Sequence, residues 1–453
     1  MGQGSSFRPN RRDLSQVVGL ALPVVGVQLG LMAMGLVDTM MVGRVSAPDL
    51  AAVALGNLFF FTIAVFGVGV LLSLDPVVAQ AVGAGEAEAA ARGLQRGLII
   101  AVALAMITSL ALLPASLVFR LAGQPDDVIP IAVGYVLASI PGTAPFFFFV
   151  VLRQSLQAMG RVAPILWTAI AGNVLNFGLN WILIWGNLGA PRMGALGSAW
   201  ATSIARWFLA VTLLAVAWPL LQPLLRPWRS GVGRLQPLVR MLILGIPIGF
   251  QYQLEWGAFA VIGLLMGLLG TEEMAGHQIA LNLAAFAFMI PMGIGAAAAV
   301  RVGQEVGRND AGGARRAAGA ALSLGVAFML GTALLFLGLP TVLARAFTDE
   351  PGVIGVAATL LPIAGVFQVS DGLQAVAAGV LRGVGDTRAP MWANILGFWV
   401  LGLPLSWLLG FRLGLGPTGL WWGLALGLAV LACLLLLRVR SRLGRAMSRV
   451  QTD

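Results

Sequence analysis

The chain is a succession of long uncharged apolar runs separated by short polar connections. A helix needs about 20 mostly apolar residues to cross about 30 Å of hydrocarbon, and the runs reach that length repeatedly. The pattern predicts twelve membrane-spanning helices, at 14–42, 49–73, 93–119, 129–152, 163–187, 194–220, 237–270, 276–300, 314–340, 352–381, 390–410 and 417–437. The first run follows Arg11-Arg12, as a secretion signal would, but continues to Val37 without a small-residue cleavage site. It reads as a retained span. The expected fold class is an all-α integral membrane protein with twelve transmembrane helices.

Composition narrows the chemistry. Of the 453 residues, 59% are hydrophobic and 10% charged, against about 45–50% and about 25% in soluble proteins. A water-facing surface of ordinary polarity is excluded. All 28 basic residues are arginine, so the lysine of a phosphate-binding P-loop is missing. One histidine, His277, and one cysteine, Cys433, rule out the usual clustered zinc sites, a redox cysteine pair and a disulfide within the chain. Neither an enzyme nor a resident cofactor is expected.

The net charge of +10 could suggest nucleic acid, but the arginines sort by side of the membrane. Twenty-two of the 28 fall in the two tails and the even-numbered connections, and five (Arg44, Arg120, Arg192, Arg345 and Arg412) in the odd-numbered ones; Arg206 lies inside the sixth run. This is the positive-inside bias. It places both termini in the cytoplasm of a multi-pass inner-membrane protein, with membrane lipid and not nucleic acid as its surroundings.

The halves repeat at an offset of about 224 residues: Pro23, Asn57, Gln80, Gly83 and Arg92 match Pro247, Asn282, Gln304, Gly307 and Arg316. Six spans per half is an even number, so both halves enter the membrane from the same side, a parallel repeat. The expected organisation is a cytoplasmic tail at 1–13, one six-helix bundle at 14–220, a cytoplasmic linker at 221–236, a second bundle at 237–440 and a cytoplasmic tail at 441–453. Two such bundles facing one another across a cleft suit alternating access. Glycine pairs at Gly26/Gly30, Gly263/Gly267 and Gly423/Gly427 have the spacing that lets helix backbones approach closely.

Three acids fall within spans: Asp38 in the first, Glu255 in the seventh and Asp371 in the tenth. A carboxylate near the bilayer centre costs at least about 2.5–3.5 kcal/mol on insertion scales, so it faces a cavity, a partner or a cation. Such groups can exchange protons, and two acids with amide or hydroxyl oxygens can hold Na⁺; hydrogen bonding inside a bundle is the structural alternative. Asp75, beside Pro76 near the inner end of the second span, reads as interfacial. Asn176 and Asn180 stand at i and i+4, as do Ser198 and Thr202, so each pair shares a helix face. With Asp38 they could line a polar pocket or serve interhelical hydrogen bonding alone. His277 opens the eighth span beside Gln278, where packing or capping is the plainer role.

Three motifs, Val37-Asp-Thr-Met-Met-Val-Gly-Arg44, Gly276-His-Gln-Ile-Ala280 and Leu381-Arg-Gly-Val-Gly-Asp-Thr-Arg-Ala-Pro390, resemble those of the multidrug and toxic compound extrusion (MATE) transporters, above all the NorM-like branch. The resemblance runs from about Leu14 to Arg440. It implies cation-coupled export of organic, often cationic, drugs through a V-shaped pair of six-helix bundles, with Na⁺ or H⁺ as coupling ion and the single chain as working unit. It further implies a coupling-ion site at Glu255 and Asp371, and an N-terminal cation or proton site at Asp38, Asn176, Asn180 and Thr202. Gln278, Phe288, Asp349 and Glu350 fall where related transporters contact drug or ion. Phe367, four residues before Asp371, stands where a tyrosine is common and offers no hydroxyl for Na⁺. Ser198 replaces a commoner small apolar residue and could add an oxygen to the N-terminal pocket. The alternative function is a lipid-linked oligosaccharide flippase of related architecture, which would want basic residues in its central cleft.

Overall fold

Helix after helix of membrane-crossing length follows along the computed structural model, which describes residues 7–445 and 447–450; expectations for the rest of the two tails lie outside the described residues. The long helices are α1 (Arg11–Val42), α2 (Ala47–Gly83), α3 (Ala87–Leu112), α4 (Ile129–Ala158), α5 (Ala163–Trp185), α6 (Ala195–Val216), α7 (Leu235–Gly267), α8 (Thr271–Gly307), α9 (Ala311–Gly338), α10 (Pro351–Gly383), α11 (Arg388–Arg412) and α12 (Gly416–Gly444). All but α7 are long and apolar enough to cross a membrane by composition. The α7 helix has the length, 33 residues, but Gln251, Gln253 and Glu255 interrupt its apolar run. The fold is all-α and multi-pass, as the apolar runs predict.

Local chemistry sets the helix ends. Ser46 accepts the Asp49 N–H at 3.1 Å ahead of α2, with Pro48 in the first turn, a capped start that needs no upstream carbonyl. Asp310 does the same for α9 through the Gly313 N–H at 2.8 Å. Gly186 ends α5 in the left-handed region, φ +77°, which costs glycine little.

Several helices overrun their predicted ends: α2 resumes after Ser73 and continues to Gly83, and α8 reaches Gly307. Hydropathy registers only what must lie in hydrocarbon, whereas the backbone ladder continues past it. One consequence corrects the reading of Asp75. Instead of an interfacial group it is fully buried at the start of Leu74–Gly83, with Oδ1 accepting from Gln154 Nε2 at 2.9 Å.

The described residues divide into two compact units, one formed by Gly26–Gly249 and the other by those up to Val25 together with those from Phe250 on. Both divisions fall inside helices, shortly after the repeat-related Pro23 and Pro247. Within the first unit, α7 meets α2: a Cβ on Gly249 would stand 2.8 Å from the Phe66 carbonyl oxygen. Within the second, α1 meets α8: a Cβ on Gly293 would stand 3.1 Å from the Val25 nitrogen. Of the glycine pairs, Gly423 and Gly427 lie against the backbones of Ser406 and Gly402, but Gly267 has open space where its Cβ would be, and Gly263 has nothing closer than 3.9 Å. The pair Gly263/Gly267 thus brings no backbones together, and Gly26/Gly30 meets only the side chains of Leu166, Asn173 and Ala169.

Candidate functional sites

In the unit formed by Gly26–Gly249, α1, α5 and α6 converge on Asp38, which is 3% exposed. Asn180 Nδ2 donates to Asp38 Oδ1, and Thr202 Oγ1 donates to Oδ2 at 2.8 Å. Asn180 Nδ2 also donates to Asn176 Oδ1 at 3.1 Å, so the i, i+4 asparagines act as one surface. Asn180 Oδ1 and Asn176 Nδ2 are buried with no hydrogen-bond partner among the described residues, as is Ser198 Oγ one turn before Thr202 on α6, which no hydrogen bond among those residues joins to Asp38. Buried polar atoms are normally paired. This cluster therefore has donor and acceptor capacity left for a proton-bearing or oxygen-seeking guest.

In the other unit, Glu255 on α7 and Asp371 on α10 are electrostatic neighbours. Gln374, one turn beyond Asp371, donates through Nε2 to Glu255 Oε1 at 3.2 Å. Asp371 Oδ1 and Gln374 Oε1 are buried without a hydrogen-bond partner among the described residues. Glu255 opens onto a cavity of about 30 Å³ lined also by Gln251, Tyr252, Phe288, Gln374 and Arg382. That volume holds a water-sized guest and no drug. Carboxylate and amide oxygens suit a hard monovalent cation, and the paired acids equally suit a proton.

The remaining sequence candidates separate. Phe288 shares the Glu255 cavity. Phe367 is 2% exposed and packs edge-on against Trp421 and Phe259, with ring centroids at 5.9 and 6.2 Å. Gln278 is exposed on α8. Asp349 and Glu350 are exposed too, and Asp349 lines an open groove with Thr341 and Arg345. None of these last three lines the Glu255 cavity.

Sequence reasoning passed over Gln374 and Gln251, although each sits within a turn of an acid already singled out. Arg382, read as a connection residue, lies inside α10, is 7% exposed and lines the Glu255 cavity. His277 packs inside the second unit, where its Nδ1 accepts from Trp421.

Comparison with known proteins gives this arrangement a context. The chain is 37% identical over 439 residues, covering 94% of it and 93% of the relative, to the probable multidrug resistance protein NorM of Bradyrhizobium diazoefficiens. It is 35% identical over 447 residues, with 96% and 95% covered, to the protein of the same description from Agrobacterium fabrum. The crystal structure of the eukaryotic MATE transporter AtDTX14 superposes with a TM-score of 0.88 at 23% identity, covering 97% of this chain and 99% of that one. An outward-facing multidrug resistance MATE family transporter of the MOP superfamily gives 0.86 at 20% identity, with 98% of each chain covered. The family model described as MatE matches residues 23–182 and 247–408, one match in each half of the repeat. A duplicated match of this extent, together with full-length relatives above one-third identity, places the chain in the MatE family.

Proposed function

We propose that this protein is an inner-membrane antiporter that exports amphipathic, often cationic, organic compounds in exchange for inward Na⁺ or H⁺. Lobes at 14–220 and 237–440 alternate access, and both termini lie in the cytoplasm. The observation that carries the reading is that each compact unit encloses a carboxylate cluster on membrane-spanning helices with polar atoms to spare. Ionisable groups at that depth are costly and functional by default. The multidrug resistance names of the relatives support the same reading.

Exchange requires that drug and ion compete for charge or for conformation. A cation that neutralises Glu255, Asp371 or Asp38 weakens the hold on a positively charged drug, and the bound drug weakens the hold on the cation by the same free energy. Glu255 and Asp371 form the coupling-ion site with Gln374. Asp38, Asn176, Asn180, Ser198 and Thr202 form the proton and substrate site. Phe288 supplies apolar surface beside Glu255, and Gln278, Asp349 and Glu350 act on the drug's route outside that cavity. Small organic cations are the partners, and a single chain suffices.

The test is efflux of an organic cation from proteoliposomes under separately imposed Na⁺ and pH gradients. Efflux driven by one gradient, and lost in Glu255→Gln, Asp371→Asn or Asp38→Asn protein that still inserts, is the expected result. Ion conductance without drug, or full efflux by all three variants, would remove the reading.

A further inference from the structure

Arg206 is a charged side chain inside a membrane-spanning helix, and nothing above uses it. It stands on α6 one turn beyond Thr202 and is 8% exposed. Its guanidinium lies over the Phe60 ring at 4.1 Å and the Phe146 ring at 5.2 Å. Nη1 is buried with no hydrogen-bond partner among the described residues. Space for the side chain comes from the break in α4, where a Cβ on Gly142 would stand 3.1 Å from Arg206 Cδ. Ring faces thus hold the charge in place without neutralising it. Thr202, one turn before it on the same face of α6, donates to Asp38 Oδ2 at 2.8 Å, and Arg206 acts on Asp38 and Tyr135 as an electrostatic neighbour, on Asp38 more weakly than the hydrogen bonds do.

We propose that Arg206 is the fixed counter-charge of Asp38, a positioning residue that lets a proton switch the net charge of this cluster. The inference rests on the transport reading of Asp38 given above. The charged and titratable groups facing Asp38 are Arg206 from α6 and Tyr135 from α4, whose hydroxyl donates to Asn57 of α2. From α5, Asn176 and Asn180 bring only neutral amides, and Thr202 brings a hydroxyl. With Asp38 ionised the pair sums to zero, and an organic cation meets no net repulsion. Once Asp38 takes a proton, Arg206 alone remains, and the pocket is positive. Proton uptake then expels a cationic guest, which Asp38 without Arg206 would do more weakly.

The experiment is binding of tetraphenylphosphonium to the full-length protein in lipid nanodiscs, titrated with pH. In the wild type, affinity falls as pH is lowered. Arg206→Gln removes the positive neighbour that favours ionised Asp38, so the midpoint moves up by about one pH unit. Arg206→Met, an apolar replacement of similar length, does the same and covers a folding failure of the glutamine variant. Arg206→Lys keeps the wild-type midpoint. In Asp38→Asn protein the step that Arg206 shifts is absent, any pH dependence left over belongs to Glu255 and Asp371, and adding Arg206→Met changes nothing further. A folded Arg206→Gln or Arg206→Met variant with the wild-type midpoint would overturn the proposal and leave Arg206 as packing. Persistence of the step in Asp38→Asn protein would instead sink the transport reading of Asp38, and this inference with it.

Discussion

The indole N–H of Trp421 donates to His277 Nδ1 at 3.1 Å, between two buried rings set edge to face. An indole nitrogen can only donate, so Nδ1 is the acceptor and the imidazole proton sits on Nε2. The one histidine of the chain is thereby held neutral, and charging it would break the bond to Trp421. Trp421→Phe should cost about 1–3 kcal/mol, because Nδ1 loses its donor inside the protein. Thermal unfolding in detergent measures that loss. The pH profile of efflux should stay where it is in the wild type; a displaced profile would make His277 part of the proton path.

Glu255 and Asp371 share Gln374 but not equally. Gln374 Nε2 donates to Glu255 Oε1, while Asp371 Oδ1 is buried without a hydrogen-bond partner among the described residues. Glu255→Gln and Asp371→Asn should each abolish ion-driven efflux, with membrane insertion intact. Gln374→Leu removes an amide and leaves both acids, so its loss should be smaller and appear as a higher ion concentration for half-maximal efflux. Maximal rates and ion requirements equal to the wild type's in all three would detach this cluster from coupling.

Thr202 holds one Asp38 oxygen and Asn180 the other. Thr202→Val keeps the shape and deletes the hydroxyl, leaving a buried carboxylate oxygen without its donor at a cost of about 1–3 kcal/mol. Thr202→Ser restores the donor and should restore stability and cation binding. Comparing unfolding midpoints and tetraphenylphosphonium affinity for the two variants checks this. A serine variant as impaired as the valine variant would mean that the methyl group, not the hydroxyl, is what the site needs.

The helices and the Asp38 cluster were readable because their signals are local: apolar runs of spanning length, an acid inside one, and asparagines at i and i+4. Arg382 escaped because hydropathy cannot see where α10 ends once it leaves hydrocarbon, so a buried helical residue looked like a loop residue. The same blindness put Asp75 at an interface when Leu74–Gly83 encloses it. Arg206 was visible as a charge within a run, but its aromatic seat comes from Phe60 on α2 and Phe146 on α4, which only the fold brings together. The pair Gly263/Gly267 had the spacing of a packing seam and no helix against it, since spacing states which residues share a face and not what that face meets.

Helix contact through glycine gives a contrast within one protein. A Cβ on Gly379 of α10 would collide with the backbone of Gly295 on α8, whereas one on Gly267 meets nothing within 4 Å. Neither backbone can yield without separating the two helices. Gly379→Ala should therefore prevent accumulation of folded protein or lower its unfolding midpoint sharply, by an overpacking cost of about 1–3 kcal/mol or more. Gly267→Ala should be neutral or stabilising by up to about 1 kcal/mol, from helix propensity alone. Size-exclusion profiles and thermal unfolding of the two variants decide it, and equal behaviour would contradict the packing described.

Phe367 is one turn before Asp371 and on the same side of α10, yet its ring is committed to Trp421 and Phe259. A tyrosine there would carry a hydroxyl on the side of α10 that bears Asp371, which makes Phe367→Tyr a direct question about the coupling ion. The rings that enclose Phe367 offer no strong hydrogen-bond acceptor, so a hydroxyl added among them is buried unpaired and costs about 1–3 kcal/mol. The expected result is a lower unfolding midpoint with the ion preference of efflux unchanged. If instead the variant keeps its stability and its efflux becomes more dependent on Na⁺, the hydroxyl has reached Asp371, and the absence of that one oxygen is what sets the ion preference of the wild type.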